Sequence, residues 1–279
     1  LLLARDRLGQ KPLLYRLEEG RLLFASELKA LLQVPGAPRE LDPVSLDQYL
    51  AYQYVPHPRT MLAGYQKLAP ACRATFEGGQ LTLQRYWTPG YHEPDETLTE
   101  TRWRERLRET LTEAVRLRLR SDVPLGAFLS GGIDSTIVAG LMQEQSASPV
   151  HTFSIGFPVS QFDERSYARM AAEHLGTEHH ESVVEPEALS ILPRLAWHYD
   201  EPFGDSSAIP TMYLAEMTRR EVTVALSGDG GDELFAGYAY HHEYAKRPRA
   251  LADEITRSLG AMHNINLQRV DRITMAQGL

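Results

Sequence analysis

From Val123 onward the chain repeats one pattern: a short apolar run, a turn, then a longer stretch with helical spacing. "VPLGAFL" reads as a strand and "STIVAGLMQEQ" as a helix; "HTFSIGF" is followed by "DERSYARMAAEHLG", closed by Gly176. "HHESVV" is the third strand. "PEALSILPRLAWHY" is a helical stretch that Pro193 is expected to interrupt, "IPTMYLAEMTRR" another helix, and "VTVALSGD" the last strand. A run such as "GAFL" has no polar face to turn to water. Its alternation with helices predicts a parallel sheet covered on both faces and joined by right-handed crossovers. In such sheets ligands bind beyond the carboxyl ends of the strands. Two Gly/Ser-rich segments, residues 130–135 and 227–233, follow apolar strands and are expected side by side at that edge.

The first loop, Ser130-Gly131-Gly132-Ile133-Asp134-Ser135, turns a buried strand into a helix. Glycines without a Cβ let backbone N–H groups approach an anion, and the helix adds free N–H groups and the positive end of its dipole. Serine hydroxyls supply further donors, so phosphate is the natural guest. The loop lacks the lysine and spacing of a Walker A motif, which disfavours a P-loop nucleotidase. Asp134 would repel phosphate unless a cation lay between them, and Mg²⁺ bridging the two resolves the conflict. A tight turn with an aspartate helix cap is the structural alternative. The second loop weighs against it. Ser227, Gly228, Asp229, Gly230, Gly231, Asp232 and Glu233 set three acids among three glycines, without the spacing of an EF-hand. Two such loops at one sheet edge point to a nucleotide with Mg²⁺.

Residues 1–96 read differently. "PLLYRLEEGRLLFAS" and "CRATFEGGQLTLQRYW" are each two strand-favouring runs about a Glu/Gly turn, the usual hairpin signal. "SLDQYLAYQY" has helical spacing, with Asp42 as cap and Pro43 in the first turn. Pro89, Gly90 and Pro94 mark a linker, so the expected domains are 1–96 and 97–279. The second opens on "TETRWRERLRETLTEAVRLRLRS", a helix with Trp103, Leu107, Leu111, Ala114 and Val115 on one side. Its arginines are interleaved with glutamates, the pattern of a solvated face rather than of a basic binding surface.

Charge and cysteine content narrow the partners. Lys and Arg total 29 against 37 Asp and Glu, a net charge of −8, which argues against nucleic acid. No run of eighteen apolar residues exists, so no membrane partner is expected. Cys72 is the single cysteine and cannot close an internal disulfide, and the ten histidines, without cysteine neighbours, are not expected to make a zinc site; with no signal segment at the start, a cytoplasmic setting is expected. Both ends, "LLLARDRLG" and "RITMAQGL", read as interrupted elements, so a piece of a longer polypeptide is expected. The adjacent pairs His179–His180 and His241–His242 are not expected to share a metal, because neighbours along a strand face opposite ways. "DEPFGDSSAIPT", Asp200 to Thr211, is an ordered loop or a substrate-facing one; its place ahead of the second Gly-rich loop favours the latter.

"LSGGIDS" followed by "LSGDGGDELFAGY" resembles the ATP-pyrophosphatase domain of glutamine-hydrolysing asparagine synthetases. "ARDRLGQKPLLYR…FASELKALL" resembles the end of that family's N-terminal glutaminase domain, and "FDERSYARMAAEHLGTEHHE" fits the same pattern. The resemblance covers nearly the whole chain. It implies an α/β fold, a parallel sheet with helices on both faces, of the adenine nucleotide alpha-hydrolase-like kind with a pyrophosphatase loop. The C-terminal part of an N-terminal-nucleophile-type α+β glutaminase domain would precede it. By the same resemblance, ATP binds through Ser130, Gly131, Gly132, Asp134 and Ser135. Leu129 and Ile155 border the adenosine, and Ser227 and Gly228 hold the nucleotide from the other side. Asp134 and Asp232 match positions that bind Mg²⁺–pyrophosphate. Asp229, where well-known asparagine-making members carry Glu, matches a catalytic position tied to the acyl-adenylate.

The implied reaction adenylates a substrate carboxylate, aspartate above all, releases pyrophosphate and lets glutamine-derived ammonia displace AMP. Its partners are small molecules, and a homodimer is left open. Relatives that amidate other carboxylates, including those of surface polysaccharides, share the "SGDGGDE" form, so a sugar acid is the competing acceptor. The family's nucleophilic cysteine and glutamine-binding residues would precede Leu1. Cys72, in a strand-like "PACRATF", reads as core, so no glutaminase activity is expected of this chain alone. A non-catalytic nucleotide-binding relic would have no need of both metal carboxylates. The tRNA-thiolating and the GMP- or NAD-forming enzymes share the first loop only.

Overall fold

The computed structural model describes residues 1–90, 97–158, 163–185, 188–239 and 241. Pro94, His242 and the C-terminal "RITMAQGL" lie outside the described residues. Two compact units form. The first holds the described residues of Leu1–Gly90 and Glu187–Ile209, the second those of Tyr91–Pro186 and Pro210–Lys246.

The first unit contains β1 (Leu2–Ala4), β2 (Leu14–Glu18), β3 (Arg21–Ala25), α1 (Leu28–Leu31), α2 (Pro43–Tyr52), β4 (Gln66–Lys67), β5 (Cys72–Glu77) and β6 (Gln80–Arg85). Its strands make two antiparallel sheets, β1-β5-β6 and β3-β2-β4. Both expected hairpins are present. Their two-residue turns, Glu19-Gly20 and Gly78-Gly79, have positive φ at both positions, matching the right-handed twist of the flanking strands. Helix α2 starts where expected, with the Asp42 carboxylate accepting from Val44 N at 3.0 Å. Leu3, Tyr15, Leu68, Cys72 and Ala74 form one core and Leu14, Leu28, Leu31 and Tyr65 another, so Cys72 is indeed a buried packing residue. The buried Arg5 guanidinium donates to the carbonyls of Gly9, Leu68 and Lys11, while Asp6 accepts from Gln10 N and Lys11 N. These bonds give "ARDRLGQK" a structural reason.

In the later segment of this unit, α6 (Ala188–Tyr199) runs unbroken through Pro193. Proline removes one N–H donor there. The rest of the helical ladder continues, and burial of Ile191 and Tyr199 holds it. The two acids that follow face inward. Asp200 pairs with Lys29 at 3.3 Å. Glu201, its side chain only 2% exposed, pairs with Lys67 at 2.7 Å and accepts from Met61 N at 2.6 Å. At these residues the Asp200–Thr211 segment serves packing.

The second unit contains α3 (Glu100–Arg118), β7 (Leu125–Phe128), α4 (Ile133–Glu144), β8 (His151–Gly156), α5 (Arg165–Leu175), β9 (Glu178–Val183), most of α7 (Ala208–Thr218), β10 (Val224–Leu226) and α8 (Gly231–Phe235). The strands form a parallel sheet in the order β10-β7-β8-β9. On one face Ala127, Leu129 and Val150 pack against Ala139, Leu141 and Met142 of α4 and Ala168 and Ala172 of α5. On the other, Phe128, Phe153 and Val222 pack with Leu214 and Met217 of α7. This is the expected α/β sheet with helices on both faces. The apolar stripe of α3 is covered only towards its end: Val115 is buried and Leu111 packs on the core, whereas Trp103 and Leu107 are 43% and 41% exposed. Its arginines pair with Glu100, Glu105, Glu113 and, from α4, Glu144. That is the solvated face the charge pattern predicts.

Candidate functional site

Strands β7 and β10 are neighbours, in register Val224↔Leu125 to Leu226↔Ala127. The loops leaving their carboxyl ends therefore start side by side, as expected from the sequence. They also touch. A Cβ on Gly228 would lie 2.7 Å from Ser135 N and 3.0 Å from Asp134 Cβ, and one on Gly231 would lie 2.3 Å from Asp134 Cγ. Only residues without a side chain let the second loop close over the first.

The first loop is a cradle of short polar contacts. Ser130 Oγ and Ser135 Oγ are 3.0 Å apart, Ser130 N donates to Ser135 Oγ at 3.3 Å, and Gly132 N donates to Ser130 Oγ at 3.2 Å. Gly131 has φ +82°, and a Cβ there would sit 2.5 Å from the main chain of Tyr167 in α5. The loop can thus pack on α5 only with glycine at this position. Gly132 caps α4, and the first bond into the helix is Thr136 N to Gly132 O at 3.1 Å. The N–H groups of Ile133, Asp134 and Ser135 precede that bond and have no partner within the helix.

Asp134, in that first turn, has its carboxyl held above its ordinary pKa by burial first, then by the charges of Asp232 and Glu233. Two acids of the second loop thus lie near enough to Asp134 for their charges to act on it. Asp134 and Asp232 are oxygen donors of the kind a divalent cation takes, and its charge would offset the repulsion that raises the Asp134 pKa. Asp134 and Asp232, named from sequence as metal ligands, lie within electrostatic reach of each other; Glu233 also acts on Asp134 and accepts from Tyr238 OH at 2.8 Å. Asp229 is exposed, and its carboxylate accepts from Ser227 Oγ at 2.9 Å.

The remaining residues fall on the same edge with one qualification. Ile155 is partly exposed, two residues beyond the Phe128↔Phe153 pair that ends the β7–β8 ladder. Leu129 is 1% exposed and its side chain belongs to the core, so only its main chain can meet a ligand. Reading single residues passed over Asp163 and Arg165, whose ion pair at 2.7 Å covers Gly156 at the carboxyl end of β8. Hydrogen bonds from Arg165 hold the Asp163 carboxyl down at about 2. The available signal was the "FDERSYAR" segment itself. Among the described residues, no helix is long and apolar enough to cross a membrane.

Comparison with known proteins agrees with this arrangement. Residues 1–87 match a glutamine amidotransferase domain and residues 106–263 the asparagine synthase family. Asparagine synthetase (glutamine-hydrolyzing) 1 of Bacillus subtilis (strain 168) is 39% identical over 242 residues, covering 86% of this chain and 38% of that protein. Asparagine synthetase B (glutamine-hydrolyzing) of Escherichia coli (strain K12) is 29% identical over 296 residues, covering 100% of this chain and 48% of its own length. Amidase chyE of Penicillium rubens is 32% identical over 259 residues, covering 85% and 38%. The chain spans less than half the length of each of these relatives. With more than half of its residues matched in one continuous stretch, the chain belongs to the asparagine synthase family.

Proposed function

We propose that the protein carrying this chain is an ATP-dependent ligase that converts aspartate to asparagine, with glutamine as nitrogen donor. One observation carries the proposal: the two Gly-rich loops abut at the carboxyl edge of β7 and β10, with Asp134 in the field of Asp232 and Glu233. Loop 130–135 takes the pyrophosphate end of ATP, using the free N–H groups of the first turn of α4 and the hydroxyls of Ser130 and Ser135. Ile155 and the main chain of Leu129 border the adenosine, and Ser227 and Gly228 hold the nucleotide from the β10 side. Asp134 and Asp232 would hold Mg²⁺. A bound Mg²⁺ would supply positive charge to the leaving pyrophosphate. Attack of the substrate carboxylate on the α-phosphorus breaks the bond to pyrophosphate, and ammonia then displaces AMP from the acyl carbon. Asp229, held by Ser227, orients the acceptor at the acyl-adenylate. Residues 1–96 then belong to the glutaminase part and residues 97–279 to the synthetase part of a cytoplasmic enzyme.

A second acceptor, a sugar acid, is favoured by Asp229 itself, one methylene shorter than the Glu of asparagine-making members. ATP–pyrophosphate exchange in a full-length protein carrying this chain separates the two. Exchange that depends on aspartate supports the first acceptor, exchange that depends on a uronic acid selects the second, and no exchange with any carboxylate contradicts both.

A further inference from the structure

At the amino end of the sheet, on the edge opposite the Gly-rich loops, sits a group of side chains that nucleotide chemistry does not use. The register pairs His151 with Glu178 and Phe153 with His180. Strand alternation puts residues 151, 178 and 180 on one face. His179 turns to the other, where its ring nitrogens meet Thr152 Oγ1 at 3.0 Å and Ser154 Oγ at 3.1 Å. His151 Nδ1 and His180 Nε2 lie 3.0 Å apart. The Glu178 carboxylate stands 3.7 Å from the first and 3.8 Å from the second. One ligand atom from each of the three residues lies within 4.8 Å of the others. The His180 ring stacks on buried Phe153, with centroids 5.0 Å apart and planes 16° from parallel, which fixes its direction.

Two neutral imidazoles joined by one N–H···N bond would explain the 3.0 Å contact alone. They would not explain the carboxylate. Among the described residues, Glu178 makes no ion pair with Lys or Arg; its neighbours of opposite charge are these two rings, charged only when protonated. Two ring nitrogens and a carboxylate oxygen converge on one half-exposed gap. In a tetrahedral zinc site, Zn–N bonds of about 2.0–2.1 Å separate two imidazole nitrogens by about 3.3 Å. The pair need open by only a few tenths of an ångström, and the exposed Glu178 side chain can close by as much. We propose that His151, Glu178 and His180 bind a divalent ion of the Zn²⁺ class, with water in the fourth position, and that the ion clamps β9 to β8. Imidazole donors suit Zn²⁺ and its transition-metal neighbours, whereas Mg²⁺ prefers an all-oxygen shell. The site is therefore chemically separate from the Asp134–Asp232 pair, and it stands whether or not ATP binds there.

The test is titration of the chelator-treated chain with Zn²⁺, and with Co²⁺ as a visible probe of coordination. The expected result is one equivalent bound, intense four-coordinate Co²⁺ bands and a thermal midpoint raised by Zn²⁺. His151→Gln and His180→Gln should each weaken binding by at least about tenfold and remove the thermal shift, while His174→Gln on α5 should change neither. Glu178→Gln, at an exposed position, gives the same reading should a histidine variant fail to fold. Less than one equivalent bound by the wild type, or affinity unchanged in these variants, would leave only a neutral histidine pair and overturn the proposal.

Discussion

Gly228→Ala is expected to force the two Gly-rich loops apart. The new Cβ would lie 2.7 Å from Ser135 N and 3.0 Å from the Asp134 carbonyl carbon. Ordinary carbon contacts are about 3.5–4.0 Å, so the loops must separate by roughly 0.5–1 Å. Two of the opposing atoms are main chain at the start of α4, and no rotamer change relieves them. Overpacking of this kind costs about 1–3 kcal/mol. At about 2–4 °C per kcal/mol for a unit of this size, the thermal midpoint should fall by about 2–12 °C. A displacement near 1 Å within a reacting site can cost about a hundredfold, so Mg·ATP affinity should drop by roughly tenfold or more. Gly230→Ala supplies the control. Its φ is +94° with nothing within 4 Å of a Cβ, so alanine adds backbone strain of about 1–2 kcal/mol without a wedge. Calorimetric melting and equilibrium titration with Mg·ATP read both quantities. Should Gly228→Ala melt lower yet bind Mg·ATP as the wild type does, the loop contact is no part of a nucleotide site. Equal loss of affinity in both variants would mean that binding merely follows stability.

Asp134→Asn should stabilise the metal-free chain. The folded state holds this proton more tightly than the unfolded state, so stability falls as pH rises from the ordinary carboxylate value through the raised one. Melting at pH 7 should rise in the variant, with no gain below the carboxylate range. His57 behaves in the opposite sense: burial, then Arg5, Arg85 and Lys67, lower its pKa from 6.5 to about 4. Between those values the unfolded chain takes a proton that the folded chain refuses, so stability should decline as pH falls through that window; urea melts across pH should lose this slope in His57→Gln. Asp229→Ala in a full-length protein should lower turnover by roughly a hundredfold while Mg·ATP affinity stays near wild type, as separate kinetic and binding measurements would show.

What was legible in the sequence was what local chemistry decides. The paired turn residues Glu19-Gly20 and Gly78-Gly79 can do little but reverse a chain, and Asp42-Pro43 can do little but start a helix. The strand–helix alternation set the parallel sheet, and the shared context of the two loops put them on adjacent strands. Long-range pairing was not legible. Nothing near Glu201 reveals that Lys67 and Met61 N will satisfy it, so the grouping of residues 187–209 with the first unit appears only in three dimensions. Pro193 looked like a helix break because one lost hydrogen bond is visible in sequence and the compensating burial is not. Leu129 carries the same lesson: adjacency to a binding loop says nothing about which way its side chain turns. The His151–Glu178–His180 group needed the register of β8 against β9, which spacing alone does not supply.

The proposed nucleotide site holds one Mg·ATP between the two loops. This is tested most directly by measuring ATP affinity at fixed Mg²⁺ for the wild type, Asp134→Asn, Asp232→Asn and the double variant. A single shared ion predicts that each substitution weakens binding, and that the double variant is little worse than the poorer single one. The coupling should be about 0.5–3 kcal/mol. Losses that simply add, or ATP bound equally by all four proteins, would contradict a shared site.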